Sequence, residues 1–251
     1  MPQYSDYFGP EGLLVRGTIV VVPGRGETRA TYARFGRRLA ADAYRVRVID
    51  SPDLATEDLT ALAARLAEAA GSTTAEDGVA GPLVLVGADS GAAAIAALLD
   101  REAARQPDAV ILAGLPGRAP ATTPNAGTWD EELDVRTSCP THRGALTQDP
   151  EVRRGSLDDA IPDDVLAAAY DSEAGLPTLF LVGDADPLAD QEALARTAKA
   201  RVRARLSVVH GAHHDVLNDL QHRSVAAEVI AFLETLRNDL RPLVTVRSSA
   251  W

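Results

Sequence analysis

Short, uninterrupted apolar runs punctuate the chain, each closing at or beside a glycine or proline. Thr18–Val22, Leu83–Gly87, Val110–Gly114 and Thr178–Gly183 are these runs, and Val46–Asp50 and Leu206–His210 are two more candidate strands. A run of this length without polar alternation suits a strand buried on both faces, as in a parallel sheet. Between the runs, polar and apolar positions take helical spacing. Tyr32, Phe35 and Leu39 share one face of Thr28–Ala41; Leu59, Leu62, Leu66 and Ala69 do so in Glu57–Ala70. Gly91–Ala104 opens on small residues and continues through Ile95, Leu98 and Leu99, and Asp190–Ala200 and Ser224–Leu236 complete the set. Strand alternating with helix predicts an α/β fold with a mostly parallel, doubly wound sheet.

The rhythm breaks once. Between Gly114 and Leu176 stand Pro116, Pro120, Pro124 and Pro140, then a helically spaced stretch at Asp158–Tyr170. A structureless loop of that length is uncommon inside a domain, so 114–176 is expected to be a short inserted lid over the strand ends. The remainder reads as one domain over 1–251, with its core at 13–113 and 177–236 and a C-terminal tail at 237–251. Within the tail, Leu243–Val246 fits a short strand or disorder.

Composition narrows the functions. The 251 residues carry 25 basic and 36 acidic side chains, a net charge of −11. Such a balance disfavours nucleic-acid binding, which needs a basic stripe. One cysteine, Cys139, excludes a disulfide framework and a four-cysteine zinc site. The first twelve residues hold no apolar run of a signal peptide, and no stretch is long enough to span a membrane. The expectation is a cytoplasmic monomer or small homo-oligomer acting on a small molecule, without cofactor or metal.

The chemistry concentrates at Leu83-Val84-Leu85-Val86-Gly87-Ala88-Asp89-Ser90-Gly91-Ala92. A strand ends at Gly87 and a helix of small residues begins near Gly91, with an acid and a hydroxyl in the tight turn between them. A nucleophile elbow needs that arrangement. Its turn residue is strained, so its neighbours two before and two after must be small, and its side chain projects into the site. The helix N-terminus beside it stabilises developing negative charge.

On these residues the chain resembles the α/β-hydrolase family. Glycine-x-nucleophile-x-glycine registers on Gly87-Ala88-Asp89-Ser90-Gly91 and makes Asp89 the nucleophile; the frame one residue later makes it Ser90. An aspartate elbow looks like that of epoxide hydrolases and haloalkane dehalogenases. The resemblance places the oxyanion loop at Pro23-Gly24-Arg25-Gly26-Glu27, with Gly24 permitting a tight turn and the amides of Arg25 and Ser90 as donors. It places the acid at Asp186 in Gly183-Asp184-Ala185-Asp186-Pro187, with Asp184 the weaker candidate. The histidine is His214 in Gly211-Ala212-His213-His214, with His213 the runner-up. Nucleophile, acid and histidine follow successive predicted strands in the order the family uses.

The resemblance implies a hydrolase in which the Asp89 carboxylate forms an alkyl-enzyme ester and His214, oriented by Asp186, activates water. A serine esterase or thioesterase using Ser90, and a non-hydrolytic or biosynthetic member of the fold, are the alternatives. Tyr170 is the one lid tyrosine available to protonate a leaving oxygen. Ser90 occupies the place where dehalogenases carry a tryptophan, which counts against dehalogenation. In the lid, Cys139-Pro140-Thr141-His142-Arg143 is a weak Cys–His pairing, and Arg136, Arg143, Arg153 and Arg154 read mainly as a solvated face.

Overall fold

The computed structural model describes residues 4–71, 80–99, 106–118, 127–172 and 174–249. Among these residues, seven strands form one sheet: β1 (Tyr4–Tyr7), β2 (Gly17–Val22), β3 (Tyr44–Ile49), β4 (Leu83–Ala88), β5 (Ala109–Ala113), β6 (Thr178–Gly183) and β7 (Ala204–Val209). Their spatial order is β1-β3-β2-β4-β5-β6-β7. All neighbours run parallel except β1, which pairs antiparallel with β3. Every residue of β2, β4, β5 and β6 is buried. Burying a Val or Leu fully is worth about 1.5–3 kcal/mol, so these continuous apolar runs fix the middle of the sheet.

Among the described residues, eight helices accompany the strands: α1 (Ala33–Ala41), α2 (Leu59–Gly71), α3 (Ser90–Leu99), α4 (Trp129–Arg136), α5 (Pro140–Gln148), α6 (Asp163–Asp171), α7 (Gln191–Ala200) and α8 (His222–Arg237). Two cores flank the sheet. One joins its Val20, Leu85, Leu112 and Phe180 face to α2, α3 and α6; the other joins its Ile19, Val84, Ile111 and Leu179 face to α1 and α8. This is the α/β-hydrolase architecture. No described helix is long and apolar enough to cross a membrane.

The segment expected to form the lid divides in two. α4, α5 and the 3-10 turn Ser156–Asp158 lie apart from the two main cores, with small clusters of their own. α6 packs with Val165, Leu166, Ala169 and Tyr170 into the core beside α3. The predicted helix over 28–41 is also split: Arg29–Tyr32 is a 3-10 turn and α1 begins at Ala33. Pro120, Pro124 and the end of the predicted helix beyond residue 99 fall outside the described residues. The Leu243–Val246 segment has no regular structure, and its large apolar side chains are exposed.

Candidate active site

Strand β4 ends at Ala88, and Asp89 takes a left-handed conformation with φ +48° before α3 begins at Ser90. Non-glycine residues rarely hold positive φ, and those that do cluster at functional sites. Asp89, not Ser90, thus occupies the strained position. Its amide donates to the carbonyl of Ala113 at 3.0 Å, and its carbonyl accepts the amides of Ala92 and Ala93, so the turn is tied to β5 and to the first turn of α3. The glycines around it make room. A Cβ on Gly87 would lie 2.5 Å from the Gly91 carbonyl oxygen, one on Gly91 2.5 Å from that of Val22, and one on Gly24 2.8 Å from Asp89 Cβ.

Asp186 follows β6 and His214 follows β7, and both side chains are buried. His214 Nδ1 lies 3.0 Å from Asp186 Oδ2, and Nε2 lies 3.1 Å from Asp89 Oδ1. The second contact is an ion pair, and Nε2 makes no hydrogen bond. Asp186 Oδ1 accepts the amide of Leu188 at 2.9 Å, which fixes the acid in its loop.

The 23–27 loop closes the site from above β2. The amide of Arg25 donates to Asp89 Oδ2 at 2.8 Å. The Arg25 side chain adds what the sequence did not disclose. Its Nε donates to Asp89 Oδ2 at 2.8 Å and its Nη2 to Oδ1 at 2.7 Å, a two-pronged clamp. Nη1 reaches the carbonyls of Leu157 and Asp159, linking the clamp to the insert. The second expected donor, the amide of Ser90, makes no bond to the Asp89 carboxylate, and Ser90 Oγ is buried without a hydrogen-bond partner.

These contacts set the charges. Burial disfavours an ionised Asp89, but the charge and hydrogen bonds of Arg25 and the nearby charge of His214 outweigh it and hold the carboxyl well below its usual range. Burial likewise disfavours a charged imidazole. For His214 the charge and hydrogen bond of Asp186, reinforced by Asp89, win and push it up to about 10. Asp89 is therefore held as an anion between two cations, Arg25 and His214, at neutral pH.

A cavity of about 220 Å³ opens beside the elbow. Pro52, Leu54, Ala55 and Ile161 line it as an apolar wall, and Arg25 and Ser90 border it.

The sequence model of the family described as serine aminopeptidase, S33, matches residues 14–221, most of the chain. The chain belongs to the S33 family of α/β-hydrolases. No curated protein matches the sequence. Among solved structures, the S33-family chain is similar to a monoglyceride lipase from Saccharomyces cerevisiae, with TM-score 0.72, 15% identity and coverage of 93% of this chain and 91% of that one. A monoacylglycerol lipase from Paleococcus ferrophilus gives 0.68, 16%, 93% and 98%. The enol-lactonase from Burkholderia xenovorans gives 0.65, 16%, 92% and 95%. The family is named for a serine; this S33 member carries Asp89 at the strained position.

The remaining candidates take other places. His213 Nδ1 pairs with Asp219, and Asp184 pairs with His210 and the Gly211 amide. Tyr170 is a core residue of α6 whose hydroxyl donates to the Pro116 carbonyl, so it is not a lid donor aimed at Asp89. Cys139 and His142 form no bond to each other's side chain: the Cys139 thiol meets Arg34, and His142 Nε2 lies 2.8 Å from Asp215 Oδ2. Arg143 and Arg153 pair with Asp134 and Asp159, and Arg154 lies over Trp129. Arg136 departs most from the expected solvated face. It is 1% exposed and pairs with Glu132 and Asp215.

Glu27, His142 and Asp215 offer ligand atoms within 4.8 Å of one another, the spacing of a possible cation site. Arg136 Nη1 lies 3.6 Å from Asp215 Oδ1, so a fixed guanidinium already supplies positive charge there.

Proposed function

We propose that this S33-family hydrolase opens a small epoxide through the Asp89 carboxylate. The observation that carries the reading is Asp89 at φ +48° with His214 Nε2 at 3.1 Å, backed in turn by Asp186. Oδ2 already sits against the Arg25 amide, which leaves Oδ1 as the attacking atom once Arg25 Nη2 withdraws from it. Oδ1 bonds to an epoxide carbon, the carbon–oxygen bond breaks, and the new alkoxide takes the proton of protonated His214. That assignment needs no lid tyrosine.

The ester removes the charge of Asp89, and with it one of the supports that keep His214 protonated. Arg25 is then a cation without its counter-charge, which lowers the imidazole further. Now neutral, His214 takes a proton from water, whose oxygen adds to the ester carbonyl. The resulting oxyanion is stabilised by the Arg25 amide. On collapse the bond from the carboxyl carbon to Oδ1 breaks, protonated His214 gives its proton to the departing alkoxide and releases the diol, and the carboxyl proton of Asp89 then returns to the neutral imidazole. The same group serves as acid and then as base because the intermediate changes its surroundings.

Ser90 is disfavoured as nucleophile because His214 faces Asp89 and Ser90 begins the helix. One observation favours a second reading, a non-hydrolytic protein: both Asp89 oxygens are held by Arg25, and a carboxylate so held is a poorer nucleophile. Rates with styrene oxide and p-nitrophenyl acetate separate the three. Asp89→Asn should abolish diol formation, a loss of about 1000-fold or more for a nucleophile, while Ser90→Ala retains it. Ester turnover that survives Asp89→Asn but not Ser90→Ala supports the serine esterase. A folded wild-type protein inert to both reagents supports the non-hydrolytic reading.

A further inference from the structure

Beneath the 23–27 loop lies a second set of buried ionisable groups that the proposed chemistry does not use. Glu27 comes from the loop itself, Tyr32 from the turn before α1, Glu132 and Arg136 from α4, His142 from α5 and Asp215 from the residue after His214. Glu27 Oε2 accepts the Gly24 amide at 3.0 Å and the Tyr32 hydroxyl. Arg136 Nη2 donates to the carbonyl of Arg25 at 2.8 Å. The two peptide units that aim the Arg25 amide at Asp89 are thus gripped from both sides, at Gly24 N–H by Glu27 and at Arg25 C=O by Arg136.

The same set holds the histidine loop. The amide of His214 donates to the Val135 carbonyl and that of Asp215 to the Arg136 carbonyl, while the Asp215 carboxylate meets His142 and Arg136. Both loops of the site are therefore referenced to the end of α4. Glu27 Oε1 and Arg136 Nη1 are buried without hydrogen-bond partners, and leaving such atoms unpaired is costly.

We propose that Glu27 is a positioning residue of the active site, which with Arg136 sets the Arg25 peptide that holds the Asp89 carboxylate. The role of that peptide in catalysis rests on the Asp89 reading above; its geometry does not. Glu27→Gln keeps an amide oxygen for both bonds, whereas Glu27→Ala removes the acceptor.

The test follows amide hydrogen exchange at Arg25 beside the adduct-formation rate with styrene oxide. In Glu27→Ala, exchange at Arg25 should rise about tenfold or more while the core amide of Val20 keeps its protection, which separates local release from global loosening. Adduct formation should fall about 10–100-fold with KM changed less than about threefold, the cost of a small misplacement. Glu27→Gln should restore both readouts to within about threefold of wild type. A folded Glu27→Ala protein with Arg25 as protected as in wild type overturns the assignment, as does Glu27→Gln behaving like alanine. Failure of wild-type protein to form any adduct would count against the Asp89 reading, and the exchange result would still decide the role of Glu27.

Discussion

Arg136→Met should lower the stability of the folded chain by about 3–5 kcal/mol at pH 8, because breaking a buried ion cluster on one side leaves its other charges uncompensated. Arg136 donates through Nε and Nη2 to Glu132, and through Nη2 also to the Arg25 carbonyl and Ser156 Oγ. Methionine fills much of the volume and satisfies none of these acceptors. The loss should depend on pH with a definite sign. Burial and the charge of Asp215 already push Glu27 up to about 7, against the opposing pull of Arg136, His142 and Tyr32. Asp215 is held low, against burial, chiefly by Arg136. Without the guanidinium both folded-state values rise. A carboxyl raised above its unfolded value favours the folded state below the unfolded value, and that contribution is lost as pH rises through the folded one. The deficit should therefore be largest at pH 8 and shrink toward pH 5. Urea unfolding at the two pH values measures it; an equal loss at both, or a loss under about 1 kcal/mol at pH 8, would show that the buried acids are not coupled to Arg136.

The largest kinetic contrast lies in the pH dependence of the two chemical steps. Asp89 is ionised far below neutrality and His214 stays protonated up to about 10. Attack by Asp89 with His214 as proton donor needs both states together, so adduct formation should change less than about twofold between pH 6 and 8. Attack by Ser90 would need neutral His214, whose fraction grows tenfold per pH unit below its pKa, an increase of about 100-fold over the same interval. Ester breakdown should behave differently from formation. It needs neutral His214 once the charge of Asp89 is gone, so it should rise through the neutral range and level off well below pH 10. Stopped-flow formation and single-turnover breakdown separate the steps.

The strands most buried in the structure were the most legible in the sequence, since β2, β4, β5 and β6 are apolar on both faces. β1 gave no such signal: Tyr-Ser-Asp-Tyr lies on a half-exposed edge. α4 has no apolar stripe, and its trace in the sequence was the capping box of Thr128 with Glu131. α5 is announced only by Pro140 in its first turn. Glycine spacing around Asp89 and the loop after each strand were readable because backbone sterics dictate them. The Arg25 clamp and the Glu27–Arg136–Asp215 cluster were not. They join side chains from segments more than sixty residues apart, and nothing in the local pattern distinguishes a buried arginine from a solvated one.

The central claim is that a bond forms to Asp89. His214→Gln lacks both the proton donor for ring opening and the base that hydrolyses the ester, so alkylation should be slower but its product should persist, and prolonged incubation with styrene oxide should leave an adduct. Intact mass followed by peptide mapping is the most direct measurement. The account predicts a gain of one epoxide per chain, mapped to Asp89 and absent when Asp89 is also replaced by asparagine. Label on Ser90, or no adduct while the folded wild-type protein turns the epoxide over, would contradict it.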